Sequence, residues 1–109
     1  MGFRQERIAK NEAVVREINQ AVQQSHESAH YNSFIHIVCE CGYDKCDSIV
    51  ALTKDEYERI RSDPRQFCVL EAHVIPDVEE IVEENDRFAI VAKRQGPPAE
   101  VAIRTDPRG

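Results

Sequence analysis

Three cysteines lie within eight residues of this chain, in a segment that reads C-E-C-G-Y-D-K-C from Cys39 to Cys46. Thiolates in a C-x-C-x4-C spacing can converge on one metal ion, with each sulfur about 2.3 Å from the metal. A tight turn at Gly42 would point all three sulfurs inward. The segment therefore predicts a metal site with Cys39, Cys41 and Cys46 as ligands, and it indicates a site rather than an activity.

The length and apolar pattern limit the class of protein. A chain of 109 residues has room for one small domain. No apolar run approaches the roughly 20 residues that span a bilayer, and the first ten residues lack the apolar stretch of a secretory signal. We therefore expect a cytoplasmic protein without a membrane partner. In a reducing compartment, clustered cysteines are more often metal ligands or redox thiols than disulfides.

The charge distribution argues against nucleic acid as a ligand, and the absence of catalytic motifs argues against a small-molecule substrate. The formal net charge is −6, and acids concentrate between Asp77 and Asp86. Such a surface repels phosphates, so we expect no nucleic-acid partner. The sequence has no H-E-x-x-H, no G-x-S-x-G and no phosphate-binding glycine loop, and nothing in it indicates a small-molecule substrate.

The chain divides into four predicted segments. Residues 1–25 are predicted to form an amphipathic helix, in which Ile8, Val15, Ile18 and Val22 make one narrow apolar stripe. We expect this helix to pack on its own domain; the alternative is pairing with a second copy or with a protein partner. Residues 26–33 are polar and are predicted to be a linker. A metal-stabilised domain then covers residues 34–104, followed by a tail at 105–109.

Two β-rich segments flank the cysteines, at Phe34–Cys39 and Ser48–Leu52, and predict a hairpin whose tip is the metal knuckle. Alternation along the first strand places His36 on the outer face, so it is not expected to be a ligand. Thr53 and Glu56 have the spacing of a capping box and predict a second helix. That helix should end near Asp63-Pro64, because the residue before proline avoids helical geometry.

The remaining elements complete the predicted fold. They are a third strand at Phe67–Leu70, an acidic helix at Pro76–Glu84 with Asn85 as its C-cap, a fourth strand at Phe88–Ala92, and a possible edge strand at Val101–Ile103. The expected fold class is α+β: a mixed or antiparallel sheet of four to five strands, a cysteine-rich knuckle, two short helices and a longer N-terminal helix.

A tetrahedral site needs a fourth ligand, and His73 is the leading candidate. It follows the third strand, where a sheet edge could deliver an imidazole to the hairpin tip, and three cysteines with one histidine are an ordinary structural zinc set. Cys68 is the alternative, although its position predicts a buried strand residue; water is another. Zinc is the expected metal, because soft thiolates with imidazole suit it and it needs no electron-transfer partner; copper and iron accept the same ligands and stay open as alternatives.

Three functions remain open from the residues. The first is a zinc-stabilised interaction or regulatory module, in which the cysteines and His73 hold structure and the N-terminal helix mediates association with a protein partner or a second copy. The second is a thiol-based redox switch, in which Cys39 and Cys41 leave the metal on oxidation. The third is a zinc hydrolase, which would need water as the fourth ligand and a general base such as Glu40 or Asp44.

The pattern from Cys39 to Phe67 resembles a family of small uncharacterised bacterial proteins. The resemblance rests on N-E-A from Asn11 to Ala13, then C-E-C-x4-C, then L-T-x-x-E-Y-E from Leu52 to Glu58, then R-x-x-P-x-x-F from Arg61 to Phe67, and on T-D-P-R from Thr105 to Arg108. Family members often have P-G-H where this chain has Glu71-Ala72-His73. The resemblance covers nearly the whole chain and implies no particular activity.

Overall fold

The computed structural model describes residues 3–25, 34–43 and 46–108, with only the backbone described for residues 3–6 and 25. Its fold is α+β, as predicted. The elements in chain order are α1 (Phe3–Ser25), β1 (Phe34–Val38), β2 (Ile49–Thr53), α2 (Lys54–Arg61), β3 (Gln66–Val69), a 3-10 helix (Glu71–His73), β4 (Glu79–Glu84), β5 (Ala89–Lys93) and α3 (Pro97–Arg104). The predicted linker at residues 26–33 lies outside the described residues.

The five strands form two antiparallel sheets rather than one sheet. The first is the predicted hairpin, in which β1 pairs with β2 and Ile37 lies opposite Val50. The second has the order β3-β5-β4, with β5 in the centre. The two sheets meet beside the cysteines, because the Glu40 backbone N–H donates to the Cys68 carbonyl at 2.9 Å. This junction sets the hairpin tip next to the end of β3.

One apolar core lies between the sheets and the short helices. Its largest fully buried side chains are Ile35, Ile37, Val50, Leu52, Tyr57, Ile60, Phe67, Val69 and Phe88. The capping box that begins α2 is present as predicted, with the Glu56 N–H donating to Thr53 Oγ1 and the Thr53 N–H donating to Glu56 Oε1. It aims α2 so that Tyr57 and Ile60 point into this core.

The prediction of an acidic helix at Pro76–Glu84 is wrong, because this segment forms the edge strand β4. The central strand β5 is buried along its whole length and pairs on both edges. In that register Glu79 lies opposite Lys93, and their side chains form a buried ion pair at 2.7 Å. Asn85 is not a helix cap; its Oδ1 accepts from the N–H groups of Arg87 and Phe88 in the β4–β5 turn.

The prediction of an edge strand at Val101–Ile103 is also wrong, because these residues belong to α3. Gly96 has a φ of 99° and immediately precedes Pro97 and Pro98, the first two residues of the helix. Proline is well accepted there because its missing N–H has no partner within the helix and its fixed φ is already helical. Gly96-Pro97-Pro98 thus begins a helix as well as turning the chain.

The long helix α1 packs on the domain through a polar face rather than through the predicted apolar stripe. Its buried side chains are Glu12, Arg16, Asn19 and Gln23. In the predicted stripe, Ile8, Val15 and Val22 are only partly buried, and Ile18 is 48% exposed. Association of α1 with a second copy or a protein partner stays a prediction. Within the described residues, no helix combines the length and apolar character needed to cross a bilayer.

Candidate metal centre

The structure brings the four predicted ligands together. The sulfur atoms of Cys39, Cys41 and Cys46 and a ring nitrogen of His73 all lie within 4.8 Å of one another. His73 Nδ1 is 3.4 Å from Cys39 Sγ and 3.7 Å from Cys46 Sγ. Three side chains from one short segment and a histidine from the end of the second sheet thus form one group that could hold a metal ion.

These spacings can be compared with a tetrahedral zinc site. Zinc bonds of about 2.3 Å to sulfur and 2.0–2.1 Å to nitrogen place neighbouring ligand atoms roughly 3.5–3.8 Å apart. The two sulfur–nitrogen distances above therefore require only a few tenths of an ångström of adjustment. Cys39 and Cys41 are each 1% exposed, so the centre lies at the edge of the apolar core.

Backbone hydrogen bonds position three of the four candidate ligands, Cys39, Cys46 and His73. Cys39 directly follows β1, and its N–H donates to the Ser48 carbonyl at 2.8 Å, which extends the hairpin ladder by one rung. Cys46 lies in the returning segment ahead of β2, with its N–H bonded to the Tyr43 carbonyl. His73 ends the 3-10 helix that follows β3, and its N–H bonds to the Leu70 carbonyl. The hairpin and the second sheet together therefore build the site.

Hydrogen bonds within the cluster distribute its protons unevenly. The Cys39 thiol donates to Cys41 and lowers the pKa of Cys41 to about 5, and the backbone N–H of Tyr43 acts in the same direction. The same bond, together with burial, raises the pKa of Cys39. The backbone N–H of Leu70 donates to Cys39 Sγ at 3.3 Å. Backbone donors of this kind stabilise thiolates and orient them towards a cation.

Glu40, between two ligands in the sequence, is a buried structural anchor. Its Oε2 accepts from the Tyr57 hydroxyl and from Asn19 Nδ2, each at 2.8 Å, and its Oε1 accepts from the Cys68 N–H at 2.9 Å. The carboxylate thus accepts from the Cys68 N–H on the outer edge of β3, as the carbonyl of a neighbouring strand would. Its engagement with three donors leaves it poorly suited to act as a general base. The other suggested base, Asp44, lies outside the described residues.

The remaining candidates lie away from the cluster. Cys68 is buried in β3, as predicted, and burial raises its pKa well above the ordinary thiol value. His36 is exposed on the outer face of β1, also as predicted. The contribution of Asn19 and Tyr57, which hold Glu40, was not predicted. In the sequence, Asn19 could be recognised only as a polar residue on a helix, and Tyr57 only as a tyrosine at a buried helical position.

No protein-family model, no curated protein and no solved structure matches this chain. The resemblance to small bacterial proteins therefore stays a prediction. What the fold and the site define is a small α+β domain with a group of three cysteines and one histidine that could hold a metal ion.

Proposed function

We propose that this protein is a small zinc-binding module whose site of three cysteines and one histidine is structural, and that it serves as an interaction or regulatory protein. The observation that carries the proposal is the convergence of Cys39, Cys41, Cys46 and His73, with all ligand atoms within 4.8 Å. Two of these side chains, Cys39 and Cys41, are fully buried. Buried polar groups normally have a bonding partner, so their burial at the edge of an apolar core favours a bound ion. A bound cation would satisfy all four.

The ligand types favour zinc among the common metals. Three thiolates and one imidazole are soft or borderline donors, whereas magnesium and calcium require oxygen ligands. Zinc accepts three cysteines and one histidine in structural sites that leave no open coordination position. With His73 as the fourth ligand, this cluster is such a closed set.

Two alternatives were open from the sequence. A hydrolase would need water as the fourth ligand and a free base beside it, whereas His73 lies against the cysteines and Glu40 is engaged by three donors. A redox switch would need thiols that oxidants can reach. The burial of Cys39 and Cys41 favours the structural role over this one.

Elemental analysis of freshly purified protein, without added metal, tests the proposal. We expect about one zinc per chain in the parent protein and little in a Cys41→Ser variant, because three ligands hold zinc much less tightly than four. Cys68→Ala is the matched control, since it removes a buried thiol that lies outside the cluster.

The outcomes separate the possibilities clearly. Zinc in the parent and in Cys68→Ala, but not in Cys41→Ser, supports the proposed site. Iron or copper in the same pattern would keep the site and correct the metal. No metal in any of the three proteins would refute the proposed function and redirect attention to thiol redox chemistry.

A further inference from the structure

Successive residues beside the metal centre contact two different partners, the ligand cluster and helix α1. In the segment from Val38 to Gly42, Cys39 and Cys41 point to the ligand cluster. The residues between and beside them contact α1 instead. Asn19 pairs with the Val38 backbone, donating to its carbonyl at 2.8 Å and accepting from its N–H at 2.9 Å. Asn19 also donates to the Glu40 carboxylate.

Gly42 makes the third contact with the helix. Asn11 Nδ2 donates to the Gly42 carbonyl at 3.0 Å. A Cβ at Gly42 would lie 2.7 Å from the side chains of both Ile8 and Glu12 and 2.8 Å from the Ile8 carbonyl oxygen. Gly42 therefore lies directly against α1, and only glycine permits this approach.

The contact surface of α1 is almost entirely polar. In the described part of the chain, Val22 is the one apolar α1 side chain that packs against the core, and it is only partly buried. The Arg16 guanidinium also lies over the Phe67 ring, 4.3 Å from its centroid. Arg16 donates to the carbonyls of Pro64 and Ala102, and Glu12 pairs with Lys93 at 2.6 Å. The turn at Gly42 also covers Glu12, so its position helps to keep water from that ion pair.

A polar interface of this kind depends on accurate placement of both partners. Hydrogen bonds weaken steeply when donor and acceptor move apart, whereas apolar contacts tolerate small shifts. Buried charges also regain their hydration when the two surfaces separate, so release costs less than exposing apolar surface would. The core itself consists of residues outside α1. The helix can therefore leave while the core persists.

We infer that metal occupancy controls the docking of α1: the metal-bound knuckle supplies the contacts to Asn11 and Asn19, which hold the helix together with its contacts to β5 and α3, and loss of the metal loosens the helix on a domain that stays folded. This inference rests on the proposed metal site and adds a regulatory role to it. Because coupling between two binding events is reciprocal, weakening the docking of α1 must also weaken metal binding. Asn19 is then a positioning residue for the metal, although it is not a ligand.

Hydrogen exchange on the full chain tests the first half of the inference. The protein is compared with bound zinc and after zinc removal by a chelator. We expect amides of α1 between Ile8 and Gln24 to exchange at least about tenfold faster without zinc, within the range of about 5- to 150-fold that is typical of allosteric coupling. Amides of β3 and β5 should keep their protection.

Zinc affinity, measured by competition with a chromophoric chelator, tests the second half. Asn19→Ala removes the contacts to Val38 and Glu40, and we expect it to weaken zinc binding by about 10- to 100-fold, as outer-shell partners of metal sites do. Ile18→Ala is the matched control, because Ile18 is the neighbouring residue and faces outward. We expect its affinity to equal that of the parent.

The possible results are distinct. The inference is overturned if zinc binds but α1 keeps its protection without it, if the whole domain loses protection together with α1, or if Asn19→Ala binds zinc as tightly as Ile18→Ala. In each of these cases the proposed zinc site stands. If the chain binds no zinc, the proposed function fails and the inference fails with it.

Discussion

The Tyr57 hydroxyl donates a hydrogen bond to Glu40 Oε2 at 2.8 Å, and both side chains are fully buried. This bond joins helix α2 to the segment between two candidate metal ligands, Cys39 and Cys41. Burial and the adjacent Glu40 carboxylate raise the pKa of Tyr57, so the phenol stays protonated and remains a donor. Glu40 is thus held by Tyr57 of α2 and by Asn19 of α1.

Replacing Tyr57 with phenylalanine should destabilise the protein. The ring would still fill its place in the core, but the buried Glu40 carboxylate would lose one of its three donors. Leaving a buried acceptor short of a partner costs about 1–3 kcal/mol, and more where the group is charged. We expect a loss of this size in the free energy of unfolding, measured with urea. Tyr43→Phe is the control, since Tyr43 is exposed; equal effects of the two changes would contradict this account of Glu40.

His73 can be tested by changing it to a different ligand. His73→Ala should weaken zinc binding by more than about 100-fold, the upper range for outer-shell changes, because a ligand itself is lost. His73→Cys should restore much of the affinity, since a set of four cysteines is also an ordinary structural zinc site. His36→Ala, on the outer face of β1, should bind as the parent does. If His73→Ala also binds like the parent, the fourth ligand lies elsewhere.

Thiol labelling should divide the four cysteines into two classes. In the zinc-bound protein we expect slow reaction at every cysteine, because zinc and burial protect them. After chelation, Cys41 and the partly exposed Cys46 should react quickly, since the pKa of Cys41 is lowered to about 5 and thiolates are the reactive form. Cys39 should react slowly, because its hydrogen bond to Cys41 and its burial raise its pKa. Cys68 should stay slow, because burial raises its pKa.

A Cys68→Ala variant identifies one member of the slow class, since it should remove one of the two slow thiols, Cys39 and Cys68, and keep the fast phase. Labelling can be followed with a chromogenic disulfide reagent at neutral pH. If all four thiols of the parent react at one rate after chelation, the domain unfolds as a whole when the metal leaves. That result would also argue against the separate release of α1.

The convergence of the four candidate ligands could be predicted from the sequence because their placement is mostly local. Cys39, Cys41 and Cys46 lie within one hairpin turn, and His73 directly follows the strand beside it. The capping box of Thr53 and Glu56 is local as well, and it was predicted correctly. Short-range geometry of this kind is determined by a few neighbouring residues, which a single sequence displays.

The errors have a different origin, since each depends on a distant partner. Residues 79–84 form a strand because they pair with β5. Glu79 can be buried because Lys93 lies opposite it and neutralises its charge. The polar face of α1 is buried because it docks on backbone carbonyls, such as those of Val38 and Ala102. A search for apolar periodicity assumes an apolar partner surface, so it selected the wrong side of this helix.

The buried charges beneath α1 predict a dependence of stability on pH. Burial raises the pKa of Glu12 from 4.5 to about 7; Lys93 opposes the rise, Glu79 adds to it, and Arg16 opposes it weakly. A carboxyl with a raised pKa binds more protons in the folded state than in the unfolded state between pH 4.5 and 7. The contribution of Glu12 to the free energy of unfolding therefore falls as pH rises through this window. It is constant above the window.

A Glu12→Gln variant should lose this dependence, because glutamine keeps the shape of the side chain and cannot ionise. Titration of one proton limits the slope to about 1.4 kcal/mol per pH unit. As the pH rises from about 5 to 8, the free energy of unfolding of the parent should therefore fall relative to that of the variant. Although burial acts to lower the pKa of Lys93, the charges of Glu12 and Glu79 raise it above 10.5, so Lys93 stays charged throughout. The measurement is urea unfolding of the zinc-loaded proteins at each pH, and the difference between them cancels the titration of the thiols. Glu17→Gln, exposed on the same helix, should run parallel to the parent; a parallel Glu12→Gln would show that Glu12 is ionised in the folded protein at acidic pH.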